Sequence, residues 1–383
     1  MKLINICDIV NTRTSEIRNY ISTENMLPNK GGVCEAANVP SGTVIEYKVG
    51  DILISNIRPY FQKIWRADRN GGCSADVLCI RAKENVDSKY LYYLLSQQAF
   101  FDYVMSGAKG CKMPRGDKKQ IMQWPVTLPP LEEQQRIAGI LGSLDDKIEL
   151  NRRLNANLEA QAQALFRSWF VDFEPFGDGP FVDSELGKIP QGWKVGAASE
   201  FYKNITIGKT PPRKEHQWFS KESHDIVWVS IADMGNCGLS ICNSSEYLTP
   251  EAIKKFNICI VPVNTVLLSF KLTIGRVAIA DKELATNEAI AHFQTQHNTL
   301  EYTYLALKNY EFSSLGSTSS IATAVNSKII KSMPWMMPSD DVLNQFHNVL
   351  SPIFNGIRNN IQEITRLSAL RDTLLPKLMA GEF

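Results

Sequence analysis

The sequence lacks several features that mark whole classes of protein. No apolar run approaches the length of a membrane-spanning helix, and the first residues lack the charged-then-apolar layout of a secretory signal. These two absences predict a cytoplasmic protein. The eight cysteines are scattered and form no Cys-x-x-Cys pair, so we expect reduced thiols and no metal site held by cysteines.

The motifs of common nucleic-acid enzymes are missing as well. There is no GxxxxGK[ST] phosphate-binding loop, so ATP-driven translocation by this chain is not expected. An adenine methyltransferase needs an Asn/Asp-Pro-Pro-aromatic turn, but the two double prolines are followed by Leu131 and Arg213. The five histidines form no ligand or triad pattern, and Glu46 has no partner acid at the spacing of a nuclease. We therefore predict a chain without a catalytic site, metal or cofactor of its own.

Excess charge of either sign is also absent. The net charge is +1, because 41 Lys and Arg residues oppose 40 Asp and Glu residues. This balance argues against a protein that coats nucleic acid indiscriminately. It leaves room for sequence-specific binding, in which a local basic face supplies the phosphate contacts.

Proline is absent between Pro130 and Pro175, and this gap contains the most regular pattern of the chain. Apolar or small residues recur there in alternating steps of four and three, which is the seam of a coiled coil. A helix of roughly 40 residues is about 60 Å long, more than a single small domain needs. The seam residues are Ile137, Leu141, Leu144, Ile148, Leu158, Ala162, Leu165 and Trp169, with the polar Asn151 and Asn155 between them.

The same pattern returns at the end of the chain at a constant offset of 209 residues. Pro129 falls on Pro338, and Asn151 falls on Asn360. Because the proline entry, the apolar register and the polar break coincide, we predict an internal duplication. The apolar positions of the second copy are Phe346, Leu350, Ile353, Ile357, Leu367, Leu374 and Leu378.

The segments before the two long helices also repeat their order of elements. In the first, residues 50–55, 61–67 and 77–81 are predicted strands and residues 90–105 a helix. In the second, residues 226–231 and 264–269 are predicted strands and residues 300–309 a helix. A glycine- or serine-containing loop and a proline then lead into each long helix.

These patterns predict an α/β (α+β) fold in which two globular domains alternate with two long helices. The domains are expected at residues 1–127 and 193–336, the helices at 128–173 and 337–383, and a Pro-, Gly- and acid-rich linker at 174–192. If the helices pack as an antiparallel coiled coil, they relate the domains by a pseudo-two-fold axis. Asn151 is then expected to face Asn360 and fix the register, with simple solvent exposure of both as the alternative. Two surfaces at a fixed separation suit duplex DNA, whose half-sites follow the helical repeat.

Several segments of the chain are familiar in this order. They are residues 128–134 (LPPLEEQ) followed by Ile137, residues 164–173 (ALFRSWFVDF), residues 189–193 (IPQGW), residues 208–211 (GKTP), residues 226–228 (IVW) with Asp233, and residues 374–383 (LLPKLMAGEF). Together with the duplication, they make the chain resemble the specificity subunit of a type I restriction–modification system over essentially its whole length. One departure is that the first domain lacks the Gly-Trp-Lys opening found at Gly192 and begins almost at Cys7.

This resemblance implies a division of labour between subunits. The globular units are target-recognition domains, each reading one half of a split DNA sequence, and the helices act as a ruler between them. The helix residues named above are implied both to pair the helices and to dock two adenine-N6 methyltransferase subunits, which carry S-adenosylmethionine. A restriction and translocase subunit, which uses ATP and Mg, joins that core.

Residues that contact DNA are expected among Arg, Lys, Asn, Gln, Ser and Thr side chains on loops. Candidates follow the strands that end at residues 55 and 269, lie beside the second double proline, and occupy the loops 106–119 and 316–328. They are Arg58, Lys63, Arg66, Arg69, Lys109, Lys112, Arg115, Lys209, Arg213, Lys214, Lys271, Arg276, Thr318 and Ser319. For the loop 106–119, a merely solvated loop is the alternative.

Two other functions stay open at this point. One is a coiled-coil scaffold whose globular domains bind protein rather than DNA, which the near-neutral charge favours. The other is an enzyme with an unrecognised site, such as a fused nuclease. Salt-dependent DNA binding separates the first from DNA recognition, and metal-dependent cleavage by the isolated chain would indicate the second.

Overall fold

The computed structural model describes residues 1–110, 112–315 and 325–382. The chain divides into two compact units. Unit 1 comprises Met1–Glu149 and Ile364–Phe383, and unit 2 comprises Leu150–Glu363. Each unit therefore combines one globular part with a section of each long helix.

Unit 1 is built on a four-stranded antiparallel sheet. The strands of unit 1 as a whole are β1 (Cys7–Ile9), β2 (Arg13–Thr14), β3 (Val44–Tyr47), β4 (Ile52–Ser55), β5 (Ile64–Arg66), β6 (Gly71–Cys73) and β7 (Val77–Ala82). The main sheet has the order β1-β7-β4-β5, and β2-β3-β6 form a smaller antiparallel sheet. Every residue of β4 is buried, because alternate side chains enter different cores. Ile52 and Ile54 belong to one core and Leu53 to another.

The predicted helix over residues 90–105 is two helices in the structure, which corrects that prediction. Helix α1 spans Ser88–Leu95 and helix α2 spans Gln98–Ser106, and the short α3 (Lys118–Ile121) follows. Between α1 and α2, Gln97 has an extended backbone and Ser96 Oγ donates a hydrogen bond to the Tyr92 carbonyl at 2.6 Å. The apolar spacing continues across this break, so the pattern alone did not reveal it.

Unit 2 contains the remaining strands and most of the remaining short helices of the described chain. Its strands are β8 (Phe181–Ser184), β9 (Gly187–Pro190), β10 (Lys194–Ala197), β11 (Ile205–Ile207), β12 (Phe219–Ser220), β13 (Ile226–Val229), β14 (Ser240–Ile241), β15 (Glu246–Leu248), β16 (Val266–Ser269), β17 (Val277–Ala280), β18 (Ala285–Thr286), β19 (Ile290–Phe293) and β20 (Pro334–Met337). Its short helices are α5 (Ala198–Phe201), α6 (Ile231–Asn236), α7 (Pro250–Phe256), α8 (Leu300–Lys308) and α9 (Ser327–Ser332). The main sheet has the order β11-β19-β16-β17-β14, beside a second sheet β12-β15-β13-β18.

The main sheets of the two units share one topology. The order β11-β19-β16-β17 repeats β1-β7-β4-β5, and all these neighbours are antiparallel. The registers also match, since Leu53 lies opposite Cys79 in unit 1 and Leu267 lies opposite His292 in unit 2. The alternation recurs too: Val266 and Leu268 enter one core and Leu267 another. The predicted internal repeat is therefore present in the strand framework.

The segment that composition marks as a linker contains regular structure. Strands β8 and β9 pair as an antiparallel hairpin over Phe181–Pro190. Ile189 on this hairpin is buried and packs in the main core of unit 2 together with Trp193. Local Pro and Gly content predicted a loop, but the buried isoleucine ties the segment to the domain.

The two long helices are α4 (Leu131–Phe170) and α10 (Asp340–Ala380). Pro129 and Pro130 precede α4, as proline requires, since it has no N–H to donate inside a helix. Gln134 in the first turn is buried, accepts a hydrogen bond from the Asp87 backbone at 2.9 Å and donates one to the Pro129 carbonyl at 2.9 Å. These bonds fix the entry of α4 against the globular part of unit 1.

Within unit 2, the sections of α4 and α10 run antiparallel. Asn155 Oδ1 accepts a hydrogen bond from Asn360 Nδ2 at 2.8 Å, and Asn151 Nδ2 donates to Glu363 at 2.7 Å. Asn151 therefore does not face Asn360, and that expectation is wrong by four residues, or about one helical turn. Solvent exposure is also excluded for Asn151, which is fully buried. The polar residues of the two helices do bond to each other, but the constant offset of 209 residues between the copies did not predict which residues face one another.

The buried stripe of α4 in unit 2 turns away from the ideal seam. Leu158, Leu165 and Trp169 are half-buried, whereas Phe166 and Phe170 are buried with Ala162. Phe170 contacts Phe346 of α10 with ring centroids 4.7 Å apart. The helix therefore serves the domain core as well as the helix pair, and the two phenylalanines were missed because they lie beside the heptad seam.

Within unit 1, the helices pair through charge and apolar contacts. Arg371 of α10 donates to Asp145 of α4 at 2.8 Å, and the Tyr93 hydroxyl of α1 donates to the same carboxylate at 2.6 Å. Ile137 and Leu141 share a core with Leu378. Both sections of the helix pair are thus anchored to the globular part of their own unit.

Candidate nucleic-acid interface

In unit 1, the loop after β4 packs directly on the basic loop that precedes α3. The backbone N–H of Arg58 donates to the Pro114 carbonyl at 2.8 Å, and that of Gly116 donates to the Asn56 carbonyl at 3.1 Å. An isolated β-bridge joins Ile57 to Arg115. Two basic clusters that are separate in the sequence therefore form one surface. We call residues 56–62, 107–110 and 112–117 the first loop surface.

A close backbone approach holds the first loop surface together. Asn56 is buried and its Nδ2 donates to the Gly116 carbonyl at 3.2 Å. A Cβ on Gly116 would lie 2.7 Å from Asn56 Oδ1, so a larger residue there would have to displace the buried Asn56 side chain. Asp117 accepts hydrogen bonds from the backbone N–H groups of Gln120 and Lys119, and these bonds hold the pKa of its carboxyl below the ordinary value.

Cations and aromatic rings lie side by side on the first loop surface. Arg115 forms an ion pair with Asp76 at 2.7 Å and keeps 57% of its side chain exposed. Lys109 pairs with Asp117 at 3.3 Å, and Lys112 is exposed. The rings of Tyr60 and Phe61 are exposed, with centroids 4.6 Å apart. Basic groups beside exposed rings provide phosphate contacts and stacking surfaces for a nucleic acid.

The remaining candidates of unit 1 do not belong to this surface. Lys63 Nζ donates to the Thr23 carbonyl at 2.7 Å, and burial holds its pKa below the ordinary value. Arg66 lies at the opposite end of β5 and donates to Ser88 Oγ at 3.0 Å. Arg69 follows it and pairs with Asp68 at 3.2 Å. Position and bonding therefore assign local structural contacts to these three cations.

In unit 2, the loop after β16 occupies the corresponding end of the sheet. The backbone N–H of Ser269 donates to the Arg276 carbonyl at 2.9 Å, as that of Ser55 does to the Lys63 carbonyl at 3.0 Å. Arg276 donates through Nη1 to the Ile231 carbonyl at 2.5 Å, so it is engaged as Lys63 is. Lys271 and Leu272 project from the tip of this loop.

A third basic cluster reaches the same end of the unit 2 sheet. The backbone N–H of Gly208 donates to the Ile290 carbonyl, and a Cβ on Gly208 would lie 2.1 Å from Thr286 Oγ1. Glycine at this position therefore lets the following Lys209 run close past the edge of β18. We call residues 208–214 and 270–276, with Glu288, the second loop surface.

Glu288 lies close enough to both segments of the second loop surface for their residues to change the pKa of its carboxyl. Partial burial raises the pKa of its carboxyl, but the hydrogen bond from Thr210 and the charges of Lys271 and Arg213 outweigh burial, so the pKa lies below its ordinary value. Lys209 Nζ donates to the Asn257 carbonyl at 2.9 Å at the end of α7.

The Arg213 side chain is held in place by contacts within unit 2, so it is less available to a phosphate than an unpaired arginine would be. Its guanidinium donates to Glu246 at 2.8 Å and stacks over the rings of Trp228 and Phe219, at 4.5 and 4.6 Å from their centroids. The next residue, Lys214, is exposed. The predicted candidates Thr318 and Ser319 lie outside the described residues, as does Cys111.

Comparison with known proteins identifies the family. The sequence profile described as "Type I restriction modification DNA specificity domain" matches residues 18–160 and 190–367. The chain belongs to this specificity family. The two matched segments coincide with the two repeats, so the duplication is a property of both the sequence and the fold.

Similar members of the specificity family come from distant organisms. The type I restriction enzyme MjaIX specificity subunit of Methanocaldococcus jannaschii is 30% identical over 308 residues, covering 78% of this chain and 70% of that one. The type I restriction enzyme HindI specificity subunit of Haemophilus influenzae is 26% identical over 434 aligned positions, covering 95% of this chain and 94% of that one. Among solved structures, the type I restriction–modification S subunit from M. genitalium shares the fold, with a TM-score of 0.53 at 15% identity, covering 99% of this chain and 95% of that one.

The described residues contain no group of three or more His, Cys, Asp or Glu side chains that could hold a metal ion. Across the same residues, no helix combines the length and apolar character needed to cross a membrane. The scaffold hypothesis, in which the domains bind only protein, is not favoured, since the matching profile is that of a DNA specificity domain.

Proposed function

We propose that this chain is the non-catalytic recognition subunit of a type I restriction–modification complex. It reads a split DNA sequence, with one half-site contacted by the first loop surface and the other by the second. It docks two adenine-N6 methyltransferase subunits and, through them, a restriction and translocase subunit. The complex works in the cytoplasm, where these subunits meet the DNA. The chemistry belongs to the partners, which carry S-adenosylmethionine, ATP and Mg.

One observation carries this proposal. Two sheets of the same topology each end in a hairpin loop, and the sequence-predicted cations gather beside that loop in both units: Arg58 and Arg115 in unit 1, Lys209 and Lys271 in unit 2. A duplicated chain with one basic loop surface per repeat matches a ligand that presents two similar half-sites, as duplex DNA does.

The division of roles along the chain is part of the proposal. Residues 1–127 and 193–336 are the recognition domains, 128–173 and 337–383 are the spacer helices, and 174–192 is the linker from the first spacer helix to the second domain. The pairing of the spacer helices rests on Asn155 with Asn360 and on Arg371 with Asp145. The helices are also the proposed docking site of the methyltransferase subunits, for which the exposed Ile140 and Leu154 of α4 are candidate contacts.

The test uses the chain together with its partner. The chain is co-expressed with the methyltransferase encoded beside it, and the purified complex is titrated with duplex DNA between about 50 and 200 mM salt. We expect a stable complex whose DNA affinity falls steeply with salt and whose methylation depends on sequence. A complex that forms but binds every duplex equally would contradict the recognition role, and cleavage or methylation by the isolated chain would contradict the non-catalytic one.

A further inference from the structure

The loops after β4 and β16 are closed by the same backbone bond, from the serine N–H to the carbonyl of Lys63 or Arg276, but their serine hydroxyls bond carbonyls two and four residues ahead and one prominent side chain differs. Ser55 Oγ donates to the Ile57 carbonyl at 2.9 Å, and Ser269 Oγ donates to the Thr273 carbonyl at 2.6 Å. The third residue after each serine has a left-handed backbone, with φ of 50° at Arg58 and 60° at Leu272. This conformation is rare for a bulky residue such as leucine. Arg58 and Leu272 therefore occupy corresponding positions.

Neither side chain is accounted for by contacts within its own unit. Leu272 is 98% exposed, so it gains nothing from burial in the folded chain. Arg58 has a buried Nε that meets no hydrogen-bond acceptor among the residues the structure describes. An almost fully exposed leucine at one position, and a partly exposed arginine whose Nε lacks an acceptor at the other, make these two positions the candidates for contact with a partner at this end of each sheet.

We propose that Arg58 and Leu272 are corresponding base-reading residues, and that Leu272 contacts the 5-methyl group of a thymine in the major groove. The proposal rests on the proposed function, since it assumes that the loop surfaces bind DNA. Strands β16 and β17 are buried inside their sheet, so the part that can reach the edges of the bases in the major groove is their connecting loop, which carries Leu272. The thymine methyl is the apolar group that the groove presents, and the exposed Lys271 stands beside Leu272 for a phosphate.

The surroundings of Leu272 favour a single methyl contact over insertion between base pairs. Wedges that kink DNA insert an apolar side chain between base steps and must offset the cost of unstacking. Phe270 is 1% exposed and belongs to the core, so it adds nothing to the tip. Thr273, on the other side, is polar and exposed. A single aliphatic side chain on a polar tip suits an edge contact.

The first experiment removes the methyl group and the side chain separately. The purified complex with its methyltransferase binds duplexes of its own motif in which single thymines are replaced by deoxyuridine, which lacks the 5-methyl. We expect one replacement to weaken binding about fourfold, the scale for the buried surface of one methyl-sized group. Leu272→Gly should bind the thymine duplex about tenfold more weakly and show no further loss at that position. Glycine accepts the left-handed backbone, so the variant should remain folded.

The matched control is Val263→Ala, which shortens an exposed aliphatic residue (48%) before the other end of β16. It should keep the wild-type response to deoxyuridine. If no thymine replacement affects the wild type, or if Leu272→Gly binds as tightly as the wild type, the inference is wrong while the proposed function stands. If the wild-type complex shows no sequence-specific binding at all, the proposed function itself fails.

A swap tests the correspondence of the two positions. Leu272→Arg should change the preferred base at one position of one half-site, because arginine favours guanine O6 and N7. Arg58→Leu should change one position of the other half-site, and neither variant should alter the spacer. Changes at several positions, or in the same half-site for both variants, would overturn the correspondence.

Enhanced fluorescence of 2-aminopurine next to the contacted step, seen with wild type but not Leu272→Gly, would indicate insertion and overturn the thymine assignment.

Discussion

The first and second loop surfaces stand on equivalent sheets, yet their cations are bonded differently. On the first, Arg115 has an exposed ion pair and Arg58 has an unsatisfied Nε. On the second, Arg213 is stacked on two rings and paired with Glu246, and Lys209 donates to a backbone carbonyl. The second surface therefore holds two of its cations in contacts within the chain, leaves Lys214 and Lys271 exposed, and adds an apolar tip at Leu272.

This difference shows which parts of a duplicated domain are fixed and which are variable. In both units, the N–H of the serine that ends the central strand donates to the carbonyl of the basic residue that ends the hairpin loop, whereas the two serine hydroxyls bond different carbonyls. The side chains between them differ, because nothing in the sheet constrains them. Recognition of two different half-sites by one framework follows naturally from this arrangement.

The largest expected effect tests whether the frameworks are truly equivalent. Leu53 and Leu267 are both fully buried at matching positions of the central strands. Replacing either by alanine leaves a cavity, and each variant should lose about 2–5 kcal/mol of stability in its own unit. Hydrogen exchange of peptides from β4 and β7, compared with β16 and β19, reports each unit separately.

The control for this pair is Leu186→Ala, which removes an exposed leucine and should change stability by less than about 0.5 kcal/mol. If one leucine-to-alanine variant lost much stability and the other almost none, the two sheets would contribute differently to the stability of their units and would not be equivalent.

A second prediction concerns the residues opposite these leucines, Cys79 and His292. His292 is buried between the hydroxyls of Thr206 and Thr286, and burial lowers its pKa to about 4. In the unfolded chain, the imidazole of His292 titrates near its ordinary pKa of 6.5. Between pH 6.5 and about 4, His292 is therefore protonated in the unfolded state but neutral in the folded state. Its contribution is complete above about pH 6.5 and is lost as pH falls toward 4, by about 2 kcal/mol at pH 5.

Unit 1 has no such loss of stability in acid at the corresponding position, since burial raises the pKa of Cys79 and keeps its thiol neutral. Hydrogen exchange at pH 7.5 and 5, corrected for intrinsic rates, should show acid loosening of β19 that His292→Gln reduces and β7 does not share. Equal acid sensitivity in β7 and β19, unchanged by His292→Gln, would contradict the assignment.

The smallest effect concerns the exposed charge of the first loop surface. Arg115→Ala should lower the slope of log affinity against log salt by about 0.9, the value for one phosphate contact, and leave methyltransferase docking intact. Arg69→Ala is the matched control, because Arg69 is also exposed and ion-paired but lies beyond the other end of β5. The same slope for wild type and Arg115→Ala would remove Arg115 from the interface.

The sequence alone predicted the central strands and long helices because their signals are local. Residues 52–55 and 266–269 are short apolar runs after turn residues, and α4 begins directly after a double proline. The registers were less accessible. Asn155 rather than Asn151 meets Asn360, because the depth of each helix in its domain core sets the pairing. Phe166 and Phe170 were missed because they lie beside the heptad seam and pack into the core of unit 2.

The candidate site was predictable in composition but not in grouping. The sequence placed Arg58 and Arg115 in separate clusters, and only the bonds between the loops join them. It grouped Lys63 and Arg66 with Arg58, although one donates to the Thr23 carbonyl and the other lies at the far end of its strand. Leu272 was not a candidate, because an apolar residue in a loop carries no signal until its exposure is known.

The most direct test of the central claim is a map of methylated adenines by single-molecule sequencing, in cells with and without this gene. Loss of the gene should abolish methylation at one split motif, and the wild-type gene should restore it. Complementation with Arg58→Leu should alter one half-site, and Leu272→Arg the other. Unchanged methylation without the gene, in cells that make the partner methyltransferase, would contradict the claim that this chain selects the target.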